Sequence, residues 1–376
     1  MLNRREFSLL LAGAAGARLL PSSLMIAQTV DDTSKLSPEA ARVYAKSLVL
    51  DCNSAPPLQD TLPLPQSMLD MARSCGVSVV KTTLGGFNGD FVATVEDIAF
   101  VQRLVEVHPE YFLQVRVAAD MGRAKRENKM GIIPSFEAAS MLEDKVDRIE
   151  TFRNLGVRIM QLSYNLKSPF GAGVLMPDAG GLTPLGHEAV KKMNDLGVAI
   201  DLSHANPKTT ADAIAASAKQ VIISHAGCTA IHPHPRNKTD EQIRALADKG
   251  GVMGIYDLPF LAASPKQPTV DDYMAHMEHA LKVAGEDHVG VGSDLGVNPV
   301  DTSPKAMEEF NKEQERRKKS GAAAPEEDRV PYVIGMNTPW KLEVITEQLL
   351  KRGYPARVAE KVIGANFVRV LTEIWT

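Results

Sequence analysis

Cysteine and net charge are both scarce in this chain. It has three cysteines among 376 residues, an odd number, and none shows a Cys-x-x-Cys spacing. These facts argue against a disulfide scaffold and against a structural zinc ribbon. The formal net charge is only -4. This balance does not favour binding to nucleic acid or to an anionic membrane surface.

Long hydrophobic runs and glycine-rich phosphate motifs are absent as well. The apolar run that follows Arg5 ends near Leu20 and is too short to span a bilayer. No Gly-x-Gly-x-x-Gly or P-loop follows a predicted strand, which weakens the case for an open doubly wound sheet. The chain is nevertheless 44% hydrophobic, so it can bury a sizeable core.

The first 30 residues form a separate segment. Arg4 and Arg5 precede Phe7 and a modest apolar run rich in Ala and Gly. This pattern is typical of a twin-arginine export signal, and an ordinary Sec signal that contains Arg-Arg is the alternative. We assign 1–30 to a signal peptide and 31–376 to one domain. The pattern predicts a periplasmic or secreted protein carried by the twin-arginine translocase.

Short apolar runs alternate with helical patterns over most of the chain. They are rich in β-branched residues and nearly free of charge, as buried parallel strands are. The repeat predicts a (β/α)8 TIM-type barrel, with an open doubly wound sheet as the alternative. The predicted barrel strands are 47–51, 77–82, 131–136, 157–163, 198–204, 220–225, 251–256 and 288–293, and a short run at 112–117 is left over.

A charged insertion, 297–333, breaks this repeat after the eighth strand. Residues 306–320 are dense in Glu, Lys and Arg, and Gly321 begins a small-residue stretch that ends at Pro325. We predict a solvated helix and a flexible tip. Because the insertion starts at the carboxyl rim of the barrel, it is a candidate lid, and a passive surface excursion is the alternative.

Two predicted strands end in the same dipeptide, Ser-His. His204 closes the run VAIDLSH, and His225 closes QVIISH. Catalytic groups gather at the carboxyl ends of barrel strands, so two imidazoles there suggest a metal site; two polar strand caps are the alternative. Other polar residues at strand ends are Asp51, Glu137, Tyr164 and Asp294.

Glu137 would complete a His2Glu ligand set with these histidines. A catalytic zinc site uses three protein ligands and a water, and Asp294 could accept the proton of that water. Arg236, in the loop after the sixth strand, can clamp a carboxylate. The residues predict metal-assisted hydrolysis of a molecule with a carboxylate. A buried Glu–His ion network and an ordinary loop arginine are the alternatives.

From about Ser47 onward, the sequence resembles the membrane (renal) dipeptidases, a family of amidohydrolase-like barrels. The resemblance implies a barrel, usually dimeric, with two bridged zinc ions and hydrolysis of dipeptides. It makes Glu137 the bridging carboxylate, and His204 and His225 the ligands of the second zinc. The segments that carry it include 181–186 (GLTPLG), 201–204 (DLSH), 224–225 (SH), 236–237 (RN), 292–294 (GSD) and 364–367 (GANF).

The same resemblance implies roles for residues around the metal. It makes Arg236 the clamp for the substrate carboxylate and Asp294 the catalytic acid/base. Tyr164 stands where the family has a histidine that contacts substrate, and Asn165 follows it, so both are candidate substrate-binding residues.

The first strand departs from the family pattern. Relatives end it in His-x-Asp, the other two ligands of the first zinc, and here Asn53 and Ala55 stand at those positions. Asn is a poor zinc ligand and Ala is none, so we expect one zinc ion. Asp51 and Cys52 are nearby candidates for rebuilding the first site. A His2Glu set would also accept iron or manganese.

The sequence therefore predicts an exported, zinc-dependent hydrolase. Its expected substrate is a dipeptide or a related small amide with a free carboxylate, and a homodimer is expected from the family alone. The altered first strand motivates a second hypothesis, a non-catalytic small-molecule-binding protein on the same barrel. A third is another reaction on this scaffold, such as lactone hydrolysis or a lyase reaction.

Overall fold

The computed structural model describes residues 36–376. Its strands are β1 (Leu50–Asp51), β2 (Val79–Thr83), β3 (Phe112–Gln114), β4 (Met130–Phe136), β5 (Ile159–Gln161), β6 (Ala199–Asp201), β7 (Ile222–Ala226), β8 (Val252–Ile255) and β9 (Val289–Val291). They pair in the order β1-β2-β4-β5-β6-β7-β8-β9, and β3 pairs with β4 off this path. All the pairings are parallel. The predicted signal segment, 1–30, lies outside the described residues.

Helices follow most of the strands and pack around the barrel. They are α1 (Pro38–Lys46), α2 (Gln66–Ser74), α3 (Phe91–Val107), α4 (Ala118–Arg126), α5 (Arg148–Leu155), α6 (Pro184–Leu196), α7 (Pro207–Ala216), α8 (Asp240–Asp248), α9 (Val270–Ala284), α10 (Pro304–Lys319), α11 (Lys341–Lys351), α12 (Ala356–Glu360) and α13 (Asn366–Trp375). Within residues 36–376, we find no helix that combines the length and the apolar character needed to cross a membrane.

Local sequence signals explain where several of these helices begin and end. Thr183 caps α6 with its side chain, a proline follows in the first turn, and the helix ends at Gly197 with a positive φ of 63°. Thr239 and Gln242 form a reciprocal capping box at the start of α8. Such caps satisfy backbone groups that the helix itself leaves unpaired, so the strand–helix units follow from the sequence.

Hydrogen bonds between β9 and β1 close the barrel. The backbone nitrogen of Cys52 donates to the carbonyl oxygen of Val291 at 2.9 Å. The carboxylate of Asp51 accepts from the backbone nitrogen of Ser293 at 2.9 Å and from its hydroxyl at 2.6 Å. These bonds join the two ends of the strand order. The predicted (β/α)8 barrel is confirmed.

A separate apolar cluster fills the interior of the barrel at the end opposite the carboxyl ends of the strands. Gly290 of β9 leaves room for α13, because an added Cβ would lie 2.5 Å from the ring of Phe367. The strand and helix patterns did not predict α13, which plugs the base. The cluster takes Leu50, Val79, Ile133, Ile159, Ala199, Ile222 and Val252 from the strands and Phe367, Val370, Leu371 and Ile374 from α13. The polar side chains of the barrel therefore collect at its other end.

The insertion after β9 contains the predicted helix, since 306–320 corresponds to α10. The small-residue stretch after it, predicted as a flexible tip, is partly buried. Ala322 and Ala324 are only 2% and 6% exposed. The side-chain nitrogen of Asn165 donates to the carbonyl oxygen of Ala322 at 2.9 Å. Small residues suggested mobility, whereas here they allow the chain to pack closely.

The closing contact of Asp51 yields a stability prediction. Asp51→Ala removes the acceptor of the buried backbone nitrogens of Asn53 and Ser293. Unsatisfied buried donors should lower the free energy of unfolding by about 2–4 kcal/mol, measured by urea denaturation. Asp195→Ala, which breaks an exposed ion pair with Lys191, is the control and should change it by less than about 0.5 kcal/mol. Equal effects of the two substitutions would contradict this account of barrel closure.

Candidate functional site

Three side chains from separate strand ends meet at the carboxyl end of the barrel. Glu137 follows β4, His204 follows β6 and His225 lies in β7. Their ligand atoms all lie within 4.8 Å of one another, and within the described residues they form a group that could hold a metal ion. Both histidines are buried, at 2% and 0% exposure. The structure thus brings together the three residues that the sequence singled out as ligands.

Asn165 determines which nitrogen of His204 carries the proton. Its side-chain nitrogen donates to Ala322, so its Oδ1 is the acceptor that faces Nδ1 of His204 at 2.8 Å. His204 therefore keeps its proton on Nδ1 and presents a lone pair on Nε2. The ring of Tyr164 stacks on His204 with centroids 4.1 Å apart. Asn165 and Tyr164 line the pocket, and both orient the ring of His204, a candidate metal ligand.

Ser224 determines which nitrogen of His225 carries the proton. The Ser224 hydroxyl donates its proton to Oδ2 of Asp201 at 2.5 Å. It can then only accept from Nδ1 of His225, which lies 2.7 Å away. His225 therefore also presents an unprotonated Nε2.

The two Nε2 atoms face each other at 3.0 Å. Burial lowers the pKa of both imidazoles well below its ordinary value, and the positive charge of Arg236 lowers it further. Two lone pairs at this distance repel each other unless a cation lies beside them. Zinc–nitrogen bonds are about 2.0–2.1 Å long, so both atoms can reach one ion. The donor set therefore fits a divalent metal.

Asp294 lies beside this cluster. Its backbone is in the left-handed region, with φ of 60°, and its Oδ2 is 3.9 Å from Nε2 of His225. The side-chain nitrogen of Asn53 donates to Asp294 Oδ1 at 2.6 Å and to Glu137 Oε1 at 2.7 Å. Burial, together with the nearby negative charge of Glu137, raises the pKa of Asp294 well above its usual value. Asp294 is therefore placed to hold a proton next to the ligands.

Arg236 presents one free edge to the pocket. It is 2% exposed, and its Nη1 donates to the carbonyl oxygen of Ser203 at 2.7 Å. Its Nη2 is buried and has no hydrogen-bond partner among the described residues. The pocket in front of it is also lined by Glu137, His204 and Asp294. A buried guanidinium with an unused donor fits the carboxylate of a ligand.

The insertion roofs this pocket. Arg317 of α10 donates to the Tyr164 hydroxyl at 3.2 Å and forms an ion pair with Glu327. Nε2 of His234 donates to the carbonyl oxygen of Pro325 at 2.7 Å. Arg317, Glu327 and Phe310 are among the residues that line the pocket. The segment therefore contacts the site directly, through residues that the sequence pattern did not single out.

The two candidates for rebuilding a first metal site are not placed to do so. Asp51 uses its oxygens to bind Ser293 and the backbone of Asn53. Cys52 packs in the apolar interior cluster, where burial raises the pKa of its thiol well above the usual value. Ala55 offers no ligand atom. The departure at the first strand therefore leaves no second set of metal ligands at these positions.

Lys81 is the main residue of the site that sequence reasoning missed. It lies on β2, is fully buried, and its Nζ donates to Asn53 Oδ1 at 2.7 Å. The signal was present, since Lys81 is the charged residue in the otherwise uncharged run VSVVKT. A charge in a buried strand requires a partner in the interior.

The site can now be compared with known proteins. The dipeptidase tcpJ of Claviceps purpurea (strain 20.1) is 28% identical over 284 residues, 75% of this chain and 60% of that protein. An uncharacterized dipeptidase of Schizosaccharomyces pombe (strain 972 / ATCC 24843) is 32% identical over 227 residues, 58% of this chain and 54% of that protein. The alignments thus span less than two thirds of these two relatives.

Solved structures show the same fold. An amidohydrolase from Pseudomonas aeruginosa has a TM-score of 0.77 at 32% identity, and the match covers 89% of this chain and 99% of that chain. A structure described as dipeptidase AC, a metallopeptidase of family M19, has a TM-score of 0.70 at 20% identity, covering 87% and 98%. A family model described as membrane dipeptidase (peptidase family M19) matches residues 45–317. The chain therefore belongs to the membrane dipeptidase family.

Proposed function

We propose that this protein is a metal-dependent hydrolase of dipeptides or related small amides that carry a free carboxylate. We further propose that the metal is a single zinc ion held by Glu137, His204 and His225. The observation that carries the proposal is the pair of imidazole Nε2 atoms, 3.0 Å apart, beside the carboxylate of Glu137. Relatives named as dipeptidases support the same reaction class.

The residues around the ligands supply the remaining parts of a hydrolytic site. When bound, a divalent cation polarises a carbonyl and eases the deprotonation of water. Arg236 binds the substrate carboxylate through its free Nη2 and so positions the amide bond. Asp294 takes a proton from the attacking water and returns it to the leaving amine. Asn53 holds Oδ1 of Asp294, which leaves Oδ2 available for that proton.

A non-catalytic binding protein remains the second hypothesis, since it shares the Arg236 clamp but needs no proton transfer. It predicts that dipeptides bind without turnover. The position of Asp294, with Oδ2 3.9 Å from Nε2 of His225, favours hydrolysis, because a general base must lie next to the attacking water. Product analysis with a panel of dipeptides and N-acyl amino acids separates the two hypotheses.

The insertion 297–333 is, in our proposal, a lid over the substrate. Its α10 and following loop line the pocket and bind residues of the site, as a lid that excludes water would. We also propose that 1–30 directs twin-arginine export to the periplasm, on the basis of Arg4 and Arg5. A homodimer stays an expectation from the family.

Substrates without a carboxylate test the role of Arg236. The wild-type enzyme should hydrolyse a dipeptide roughly 10- to 100-fold better, in kcat/KM, than its C-terminal amide, because a charged hydrogen bond is lost. Arg236→Lys should reduce this preference sharply. Arg244→Lys, on the exposed face of α8, is the matched control and should keep it. A preference that survives in Arg236→Lys would show that another group reads the carboxylate.

Removal of the Asn165 amide tests the assigned metal ligand. Asn165→Ala frees the His204 ring to rotate and change tautomer, so zinc affinity should fall about 10- to 100-fold. Competition with a chromogenic zinc chelator measures this directly. Asn311→Ala, at an exposed position on α10, is the control. Unchanged affinity in Asn165→Ala would mean that His204 does not depend on this contact as a ligand.

The lid proposal is tested at Arg317. Arg317→Met removes the contact to Tyr164 and the ion pair to Glu327, so the roof should close less well. KM should rise severalfold, with a smaller change in kcat, in steady-state assays. Lys312→Met, on the exposed face of the same helix, should leave both constants unchanged. Equal kinetics for the two variants would make the insertion a passive surface segment.

A further inference from the structure

Lys81 places a positive charge in the middle of the barrel. The side chain is 0% exposed. Its Nζ lies 2.7 Å from Asn53 Oδ1, 3.6 Å from Asp201 Oδ2 and 4.0 Å from Glu137 Oε1. Lys81 is on β2 and Asp201 is on β6, and two strands separate them in the sheet. The pair therefore spans the interior directly beneath the candidate metal ligands.

The ammonium also determines how Asn53 is oriented. Because Nζ donates to Oδ1 of Asn53, the amide must turn its nitrogen the other way. That nitrogen donates to Glu137 Oε1 and to Asp294 Oδ1, at 2.7 and 2.6 Å. The Asn53 amide thus bridges the carboxylates of Glu137 and Asp294 and itself accepts a hydrogen bond from the Lys81 ammonium. The amide occupies the space between the two carboxylates.

We infer that Lys81 and Asn53 together take the place of a second metal ion, so that this chain uses one metal and one built-in ammonium. The inference rests on the proposed function and adds to it a positioning residue, Lys81. The ammonium supplies positive charge to the carboxylates, and the Asn53 amide holds Glu137 and Asp294 at a fixed separation. Neither can be removed by a chelator.

Repulsion between like charges supports a single metal. The Lys81 ammonium lies 2.7 Å from Asn53 Oδ1 and 4.0 Å from Glu137 Oε1. Arg236 is a second buried cation of the site. A second divalent ion at the Asn53 position would lie next to the Lys81 ammonium, and positive charges held so close together are costly where water is excluded.

The occupancy of the Asn53 position supports the same conclusion. Thr83 donates to Glu137 Oε1 at 2.8 Å, in addition to the Asn53 amide. That oxygen therefore already has two donors, which leaves Oε2 for the ion at the histidines. A metal on the Asn53 side would have to displace both the amide and the ammonium behind it.

Metal counting in four proteins tests the inference without an activity assay. They are the wild type, Lys81→Met, the double variant Asn53→His/Ala55→Asp, and the triple variant that combines all three substitutions. Each is saturated with zinc, freed of excess by gel filtration and measured by mass spectrometry of the metal. Titration with Co2+, followed by visible absorption, gives an independent count, and circular dichroism checks folding.

We expect one metal per chain in the wild type, in Lys81→Met and in the double variant, because each lacks either the ligands or the space for a second ion. The triple variant has both, so it should approach two. One metal in a folded triple variant would overturn the role of Lys81.

Lys81→Met and the triple variant leave Asp201 without its ammonium and could fail to fold. The other two proteins keep Lys81 and still test the inference, because it predicts that the ligands introduced by Asn53→His and Ala55→Asp do not admit a second ion while the ammonium is present. Two metals in the wild type or in the double variant would overturn the inference but leave the proposed function intact. A count of zero in the wild type would overturn both.

Discussion

The carboxylate of Asp201 holds the catalytic end of the barrel together. It is 1% exposed and accepts hydrogen bonds from the backbone nitrogens of Ser203 and Ser224 at 3.1 and 3.0 Å. Both serine hydroxyls also donate to it, each at 2.5 Å, and Gln161 donates at 3.0 Å. Because the Ser224 hydroxyl donates its proton to Asp201, its oxygen can only accept a hydrogen bond from Nδ1 of His225. One buried acid thus joins two strand ends and sets the tautomer of His225, a candidate metal ligand.

The carboxylate of Asp201 also has a buried cation beside it. Lys81 is that cation, and its ammonium reaches upward to Asn53 as well as across to Asp201. The barrel interior is therefore layered, with an apolar base closed by Phe367 and its neighbours in α13, a charged layer above it, and the pocket on top. The charged layer connects the fold to the site, since the same bonds stabilise the strands and orient the ligands.

This layering explains how much the sequence could predict. Strand periodicity placed Glu137, His204 and His225 at strand ends, and parallel strands necessarily bring such ends to one rim. Local patterns could not show that Lys81 points at Asp201, because that contact requires the strand order of the closed sheet. The buried tip at Ala322 was missed for a related reason, since composition reports on local flexibility and not on a partner far away in the chain.

Asn165 shows why the roof and the metal ligands cannot be treated as independent. Its Nδ2 binds the roof at Ala322, and its Oδ1 binds His204. The carbonyl of Ala322 thus fixes the orientation of the Asn165 amide, and that orientation fixes which nitrogen of His204 carries the proton. Under the proposed function, displacement of the roof would free the amide to turn its donor toward the imidazole, and a proton on Nε2 of His204 would block a metal there. The affinity for the metal and the closure of the roof would then be coupled in both directions.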